Sequence, residues 1–288
     1  ALPVAALAGW LAFLYHSTGH LFGSAEFTGY NARFLLHPVR AVVALAKRIG
    51  FLFFENFHWI GTWALIVSLR ARAPAQRTWK IAGSLVAAHI AVFSVLGGAM
   101  LERYLLPVLP IVYTAMAASF TGRAGPLALA AGLIAGNFWN KPSPFPLENN
   151  LAMVDFVRLH QTAAGYIDSR PGSARITTVW PLTSALERPE FGYVQRPRRV
   201  EPIPDFSRET VLALPKGSVE VLILYSRQWE PRLSLMNVDL LRRFWQRFFG
   251  YHPQIDPREA GEYHGLQQVA GWRRRGQWIE VWAKPPLL

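Results

Sequence analysis

The stretch "GGAMLERYLLPVLPIVY", residues 97–113, sets the expectation for how the first half of the chain folds. Glu102 and Arg103 stand side by side between two long apolar runs, and Pro107 and Pro110 follow them. A charged side chain inside a bilayer costs roughly 3 kcal/mol or more, so a charge pair at this junction is typical of the headgroup end of a transmembrane helix. The two prolines predict a bend just inside that helix.

Charge is distributed unevenly along the chain. Residues 1–139 contain ten Lys and Arg and three Asp and Glu, whereas residues 140–288 contain twenty and fifteen. This contrast predicts a polytopic α-helical membrane domain followed by a soluble α/β domain. The predicted domains are a transmembrane domain over 1–139, a proline-rich linker over 140–150 and an extracytoplasmic α/β domain over 151–288.

Apolar runs of near-membrane length define the predicted spans. They comprise a partial first span, an interfacial helix over 38–50, and spans at about 51–69, 81–101, 104–120 and 125–139. The first run has no preceding Met or basic stretch, which is typical of a fragment that starts within a span. The short basic loop over 70–80 favours the cytoplasmic side, which places the C-terminal domain outside.

The segment 38–50 leaves two interpretations open. Val39, Val42, Val43, Ala46 and Ile49 recur at helical spacing, and Arg40, Lys47 and Arg48 fall elsewhere around the helix. This pattern fits a helix in the membrane interface and equally an amphipathic helix packed on protein.

The second half has the pattern of an α/β domain. A helix is predicted over 151–169, buried strands at "ARITTVWP" and "VEVLILYS", and a helix over 233–250 that ends at Gly250. In the last strand, "QWIEVWAK", Trp278 and Glu280 point to the same side. No G-x-G-x-x-G or G-x-S-x-G motif occurs in this half.

The formal net charge of +12 indicates an anionic partner. The positive charges are dispersed, and the densest run is Arg273–Arg275. Beside an apolar first half, this favours lipid headgroups and argues against nucleic acid. The chain contains no cysteine and therefore no disulfide.

Two histidine patterns resemble metal sites only superficially. His16 and His20 have the spacing of a zinc helix, but Ser17 stands where the general base belongs. Glu55 and His58 form a single carboxylate–histidine pair, whereas carboxylate-bridged sites need two such pairs and further carboxylates. No metal site is predicted.

Several segments resemble bacterial membrane glycosyltransferases of the GT-C type, a group that includes protein O-mannosyltransferases and the aminoarabinose transferase. They are "ERYLLPVLPIVY", "WLAFLYHSTGHLFGSAEFTGYN", "LENNLAMVDFVRLHQTAAGYI" and "ITTVWPLTSALERPEFGYV". The chain is similar to the C-terminal half of such enzymes.

The resemblance implies transfer of a sugar from a polyprenyl-phosphate carrier to an acceptor at the outer face of the inner (plasma) membrane, by a multi-pass protein. It implies membrane lipid and the carrier as partners and no covalently bound cofactor, and it leaves a need for divalent metal undecided. It also implies that the catalytic carboxylate precedes Ala1, so the catalytic residue is unknown here and the fragment is inactive alone.

Within the chain, the resemblance assigns the carrier phosphate to Arg103, with Tyr104 on the wall of the groove. A guanidinium fork suits phosphate oxygens. Glu102 is expected to orient Arg103 or to face solvent, and Glu55 and His58 are candidates for lining the cavity. Two other classes of protein stay open: a secondary transporter, which would explain a proline-broken span, and a non-catalytic scaffold anchored in the membrane.

Overall fold

The chain divides into two compact units between Trp139 and Asn140, where the charge content of the sequence also changes. The structure, a computed structural model, describes residues 2–21, 34–71, 77–96, 101–141, 144–170, 174–229 and 238–285. Residues 22–31 of the segment "WLAFLYHSTGHLFGSAEFTGYN" therefore lie outside the described residues, as do 233–237 of the helix predicted over 233–250.

The first unit, Ala1–Trp139, is helical in its described parts. Its helices are α1 (Leu2–Thr18), α2 (Pro38–Phe53), α3 (Trp59–Ala71), α4 (Arg77–Leu96), α5 (Leu109–Ala118) and α6 (Ala124–Gly136), with a 3-10 turn at Glu102–Leu105. Helix α2 packs mainly against α4, and α3 packs against α5 and α6. Leu52, Leu105 and Met116 are fully buried where these helices meet.

The prediction of a polytopic membrane domain is wrong. In the part of the chain that the structure describes, one helical segment, Trp79–Leu96 in α4, is long and apolar enough to cross a membrane. The other apolar helices have 10–17 residues, whereas a bilayer core needs about 20 residues in helical form. Length is therefore what the predicted spans lack.

Interruptions of the backbone explain why the apolar stretches of the sequence are longer than the helices they contain. The window 51–69 is interrupted after Phe53 by a turn in which Asn56 and Phe57 have φ values of 48° and 65°. Such left-handed conformations cannot continue a right-handed helix. The window 104–120 begins in the 3-10 turn and becomes α-helical only at Leu109. Hydropathy averaged over a window does not register these breaks.

Helix α2 packs on protein, but not through its predicted apolar stripe. Ala44, Arg48 and Leu52 are buried, whereas Val42 is 65% exposed and Ile49 39% exposed. The buried side includes an arginine because the helix contacts α3, α4 and the 3-10 turn through that side. The spacing of apolar residues alone did not predict this orientation.

The second unit, Asn140–Leu288, contains a mixed five-stranded sheet in the order β2-β1-β3-β5-β4. The strands are β1 (Ile176–Thr178), β2 (Val200–Pro202), β3 (Val221–Tyr225), β4 (Gln267–Arg274) and β5 (Gln277–Ala283). The helices described in this unit are α7 (Ala152–Asp168), α8 (Leu182–Glu187), α9 (Arg208–Ala213), α10 (Asp239–Phe249) and α11 (Pro257–His264).

The sheet combines parallel and antiparallel pairing. Strand β1 pairs in parallel with both β2 and β3, whereas β5 is antiparallel to β3 and β4. Every residue of β3 is buried, as expected for a central strand covered on both faces. Helix α7 contacts β4 and β5 and contributes Leu159, Ala163 and Ile167 to the core.

Candidate functional site

The residues predicted to bind the carrier phosphate or to line its cavity all lie in the first unit, in two groups. Glu102, Arg103 and Tyr104 belong to the 3-10 turn Glu102–Leu105. Glu55 and His58 lie in the turn between α2 and α3. The turn Glu102–Leu105 contacts α2 and α4, whereas His58 contacts α5 through Tyr113.

Arg103 is the exposed residue of the 3-10 turn, whereas Glu102, like Leu105, is buried. Glu102 is 9% exposed, while the Arg103 side chain is exposed and its guanidinium lies 5.8 Å from the centre of the Tyr104 ring. Successive residues of a tight turn point in different directions, so adjacent charges take opposite environments here. The cation is therefore displayed beside an aromatic ring, and the carboxylate is not.

Two contacts with α4 fix the position of Tyr104. Its backbone carbonyl accepts a hydrogen bond from Nε2 of His89 over 2.7 Å. Its ring stacks on Phe93 with 5.8 Å between ring centroids and 22° between planes. Since His89 and Phe93 are one turn apart in α4, they form a platform that holds the backbone next to Arg103.

The 3-10 turn meets α4 part-way along the helix and not at its end. His89 precedes Leu96, the last residue of α4, by seven residues, which corresponds to about 10 Å along the axis. The turn that carries Arg103 therefore lies beside the middle of α4, whereas a residue at headgroup depth would be expected near a helix end. An arginine stem reaches several ångströms along apolar surface, so its guanidinium can lie well away from the turn itself.

Electrostatic interactions link the 3-10 turn to α2 and α5. Burial, together with the negative charge of Glu102, raises the pKa of Tyr113. Burial lowers the pKa of Arg48, and the interaction with Tyr104 partly offsets that shift. Arg48 is only 3% exposed. Arg48, Glu102, Tyr104 and Tyr113 therefore share one polar neighbourhood within an apolar unit.

His58 is held through both of its ring nitrogens. Nδ1 contacts the backbone carbonyl of Glu55, and Nε2 lies 2.8 Å from the hydroxyl of Tyr113. A carbonyl oxygen only accepts, so Nδ1 carries the proton and the hydroxyl of Tyr113 donates to Nε2. This arrangement, at 2% exposure, gives His58 a positioning role between α5 and the turn before α3.

Three residues of this neighbourhood were missed by sequence reasoning. The spacing of apolar residues places Arg48 on the polar side of its helix, although Ala44 and Leu52, four residues before and after it, mark the side that is buried. His89 and Tyr113 lie in apolar helices and carry no motif. A polar side chain in an apolar helix is the signal that points to such partners.

The described residues contain no group of three or more His, Cys, Asp or Glu that could hold a metal ion.

In the second unit, a cleft of about 520 Å³ lies between the first turn of α11 and the β4–β5 hairpin. Its wall includes Glu280, whose carboxylate accepts from Trp282 Nε1 over 3.2 Å and lies 3.3 Å from Arg273. The carboxylate is thus already bonded within the domain.

The basic run Arg273–Arg275 is occupied by intramolecular ion pairs. Arg273 pairs with Glu280, as described above, and Arg274 and Arg275 lie 3.1 Å and 3.7 Å from the carboxylate of Asp155. The Asp155 side chain is 6% exposed, so these pairs join α7 to the hairpin.

Comparison with known proteins found no matching family model, no similar curated protein and no similar solved structure.

Proposed function

We propose that the chain is part of a membrane-associated glycosyltransferase that takes a sugar from a polyprenyl-phosphate carrier at the outer face of the plasma membrane. The observation that carries the proposal is the display of Arg103 beside Tyr104 on a turn anchored to α4, the helix that contains the candidate span Trp79–Leu96. The resemblance of "ERYLLPVLPIVY" to the carrier-dependent enzymes supports the same residue.

The chemistry of the turn suits a phosphate ester. A guanidinium presents a planar fork that donates two parallel hydrogen bonds to phosphate oxygens. The neighbouring apolar surface accommodates a polyprenyl chain, since Leu106 is 60% exposed next to the turn. A cation beside apolar surface matches a ligand that combines an anionic head with a hydrocarbon tail.

In this proposal Arg103 binds the carrier phosphate, Tyr104 forms the wall beside it, and Glu102 holds the turn from its buried side. The proposal assigns no residue of this chain to activation of the acceptor. His58 positions the turn before α3 against α5 through Tyr113, and Glu55 and His58 stay candidates for lining the cavity. The carrier is the lipid partner, and the acceptor is a hydroxyl-bearing protein, lipid or glycan.

The test is sugar transfer by the intact protein from a polyprenyl-phosphate sugar. Losing two charge-assisted hydrogen bonds in Arg103→Ala is expected to lower kcat/KM about a hundred-fold. Arg103→Lys keeps the charge without the fork, and a smaller loss is expected. Arg123→Ala, at an exposed position before α6, is the matched control.

An Arg103→Ala protein with the kcat/KM of the native protein would refute the assigned role of this residue. A native protein that transfers no sugar but remains folded and bound to membranes would favour the scaffold alternative.

A further inference from the structure

Helix α10, Asp239–Phe249, has two sharply separated faces. At about 100° per residue, its six apolar side chains fall within one half of the helix circumference and its polar side chains within the other. The apolar face consists of Leu240, Leu241, Phe244, Trp245, Phe248 and Phe249, and the polar face of Asp239, Arg242, Arg243, Gln246 and Arg247. Such separation requires two different environments on the two sides of the helix.

The core of the second unit does not provide the apolar environment. None of the eleven residues of α10 is buried. Leu240 is 77% exposed, and the other five apolar side chains of the helix are half-buried. Within the described residues, the core cluster of this unit includes none of the α10 side chains. By contrast, α7 buries eight residues in the same unit.

Aromatic rings of α10 pack along the helix itself. Trp245 and Phe249 lie 4.4 Å apart between ring centroids, and Phe244 and Phe248 lie 5.0 Å apart. These contacts at spacings of four residues form a continuous aromatic surface. Gly250, with φ of 63°, then ends the helix. The surface is therefore a short aromatic patch about 16 Å long.

The polar face indicates what covers this patch. It carries three arginines and one aspartate, a net charge of +2 (3 − 1). Asp239 pairs with Arg242, while Arg243 is exposed and Arg247 lies 5.5 Å from the Phe248 ring. Arginines beside Phe, Trp and Leu are typical of helices that lie in the plane of a membrane surface. The guanidinium groups match lipid phosphates, and the aromatic rings match the acyl boundary.

We propose that α10 is an amphipathic helix that docks flat on a membrane containing anionic phospholipid. The proposal goes beyond glycosyl transfer and does not depend on it, because it concerns a different unit and a different ligand. Each arginine near an anionic surface contributes about a five-fold factor to binding. Docking is therefore expected to depend on the anionic lipid content and to weaken in salt.

The absence of cysteine from the chain permits a site-specific test. Leu240→Cys, on the apolar face, and Gln246→Cys, on the polar face, are labelled with an environment-sensitive nitrobenzoxadiazole fluorophore. The whole protein is placed in nanodiscs of phosphatidylcholine alone or of equal parts phosphatidylcholine and phosphatidylglycerol. Emission from the Leu240 position is expected to shift to the blue only with phosphatidylglycerol, and emission from the Gln246 position is expected to change little.

A double substitution that removes two positive charges from α10 provides the second part of the experiment. Arg243→Gln with Arg247→Gln is expected to lower the ratio of docked to undocked helix about thirty-fold, and glutamine maintains helix propensity. Arg188→Gln with Lys216→Gln, two exposed positions in the same unit, is the control and is expected to leave the shift intact. Thermal unfolding of each labelled protein verifies that it is folded.

Two results would overturn the proposal. Equal responses from both labels, or no response to phosphatidylglycerol, would exclude flat docking on anionic lipid.

Discussion

Nε2 of His58 lies 2.8 Å from the hydroxyl of Tyr113, and the two rings stack with 14° between their planes. The residues are fifty-five positions apart, so the contact joins the turn before α3 to α5 and closes the first unit across its core. Both partners are polar side chains in apolar surroundings, where an unsatisfied nitrogen or hydroxyl is costly.

Tyr113→Phe is expected to destabilise the first unit by about 1–2 kcal/mol. The variant keeps the ring but leaves the buried Nε2 of His58 without its donor. Thermal unfolding of the whole protein measures the change, and Tyr15→Phe, at a side chain that is 56% exposed, is the control. Equal melting temperatures for both variants would show that the hydrogen bond contributes little.

Two glycines are expected to respond in opposite directions to alanine. At Gly61 in α3, an added Cβ would meet the side chain of Met116 at 2.7 Å, so Gly61→Ala overpacks the α3–α5 contact and costs about 1–3 kcal/mol. At Gly83 in α4 nothing lies within 4 Å, and Gly83→Ala gains helix propensity of up to about 1 kcal/mol. Chemical denaturation measures both. A loss at Gly83 equal to that at Gly61 would contradict the packing described here.

His160 is expected to make the second unit less stable in acid. Burial lowers its pKa from 6.5 to about 4, and protonation would place a second N–H at Nε2, which has no partner among the described residues. The unfolded chain therefore binds the proton more readily. The stabilising contribution is complete above pH 6.5, is lost as pH falls towards 4, and amounts to about 3 kcal/mol.

Urea unfolding at pH 7.5 and pH 5 measures this dependence. His160→Leu is expected to reduce the loss of stability between the two pH values, whereas His252→Gln, at an exposed position, should leave it unchanged. Burial also lowers the pKa of His264, so some loss is expected to remain in the His160 variant. An unchanged loss in His160→Leu would refute the assignment.

Arg274→Ala is expected to cost about 1–3 kcal/mol, since it removes the closest cation from the buried carboxylate of Asp155. Arg208→Ala breaks an ion pair with Glu259 in which both side chains are well exposed, and a loss below about 1 kcal/mol is expected. Denaturant midpoints of the two variants provide the comparison. Equal costs would mean that Arg275, at 3.7 Å from Asp155, fully replaces Arg274.

Local pattern determined much of the second unit. The helix predicted over 151–169 is present as Ala152–Asp168, and "VEVLILYS" contains the central strand Val221–Tyr225. Trp278 and Glu280 share one face of β5, while Ile279 between them is buried on the other. These features follow from side-chain periodicity, which is a property of neighbouring residues.

The sequence by itself determined the change in charge content at residue 140, because that change depends only on which residues stand in each half of the chain. Only the tertiary structure decided the rest. It shortened the predicted spans at Asn56 and before Leu109, turned the Arg48 side of α2 inward, and paired His58 with Tyr113. Backbone dihedral angles and contacts between distant segments set these outcomes, and neither is encoded in hydropathy or spacing.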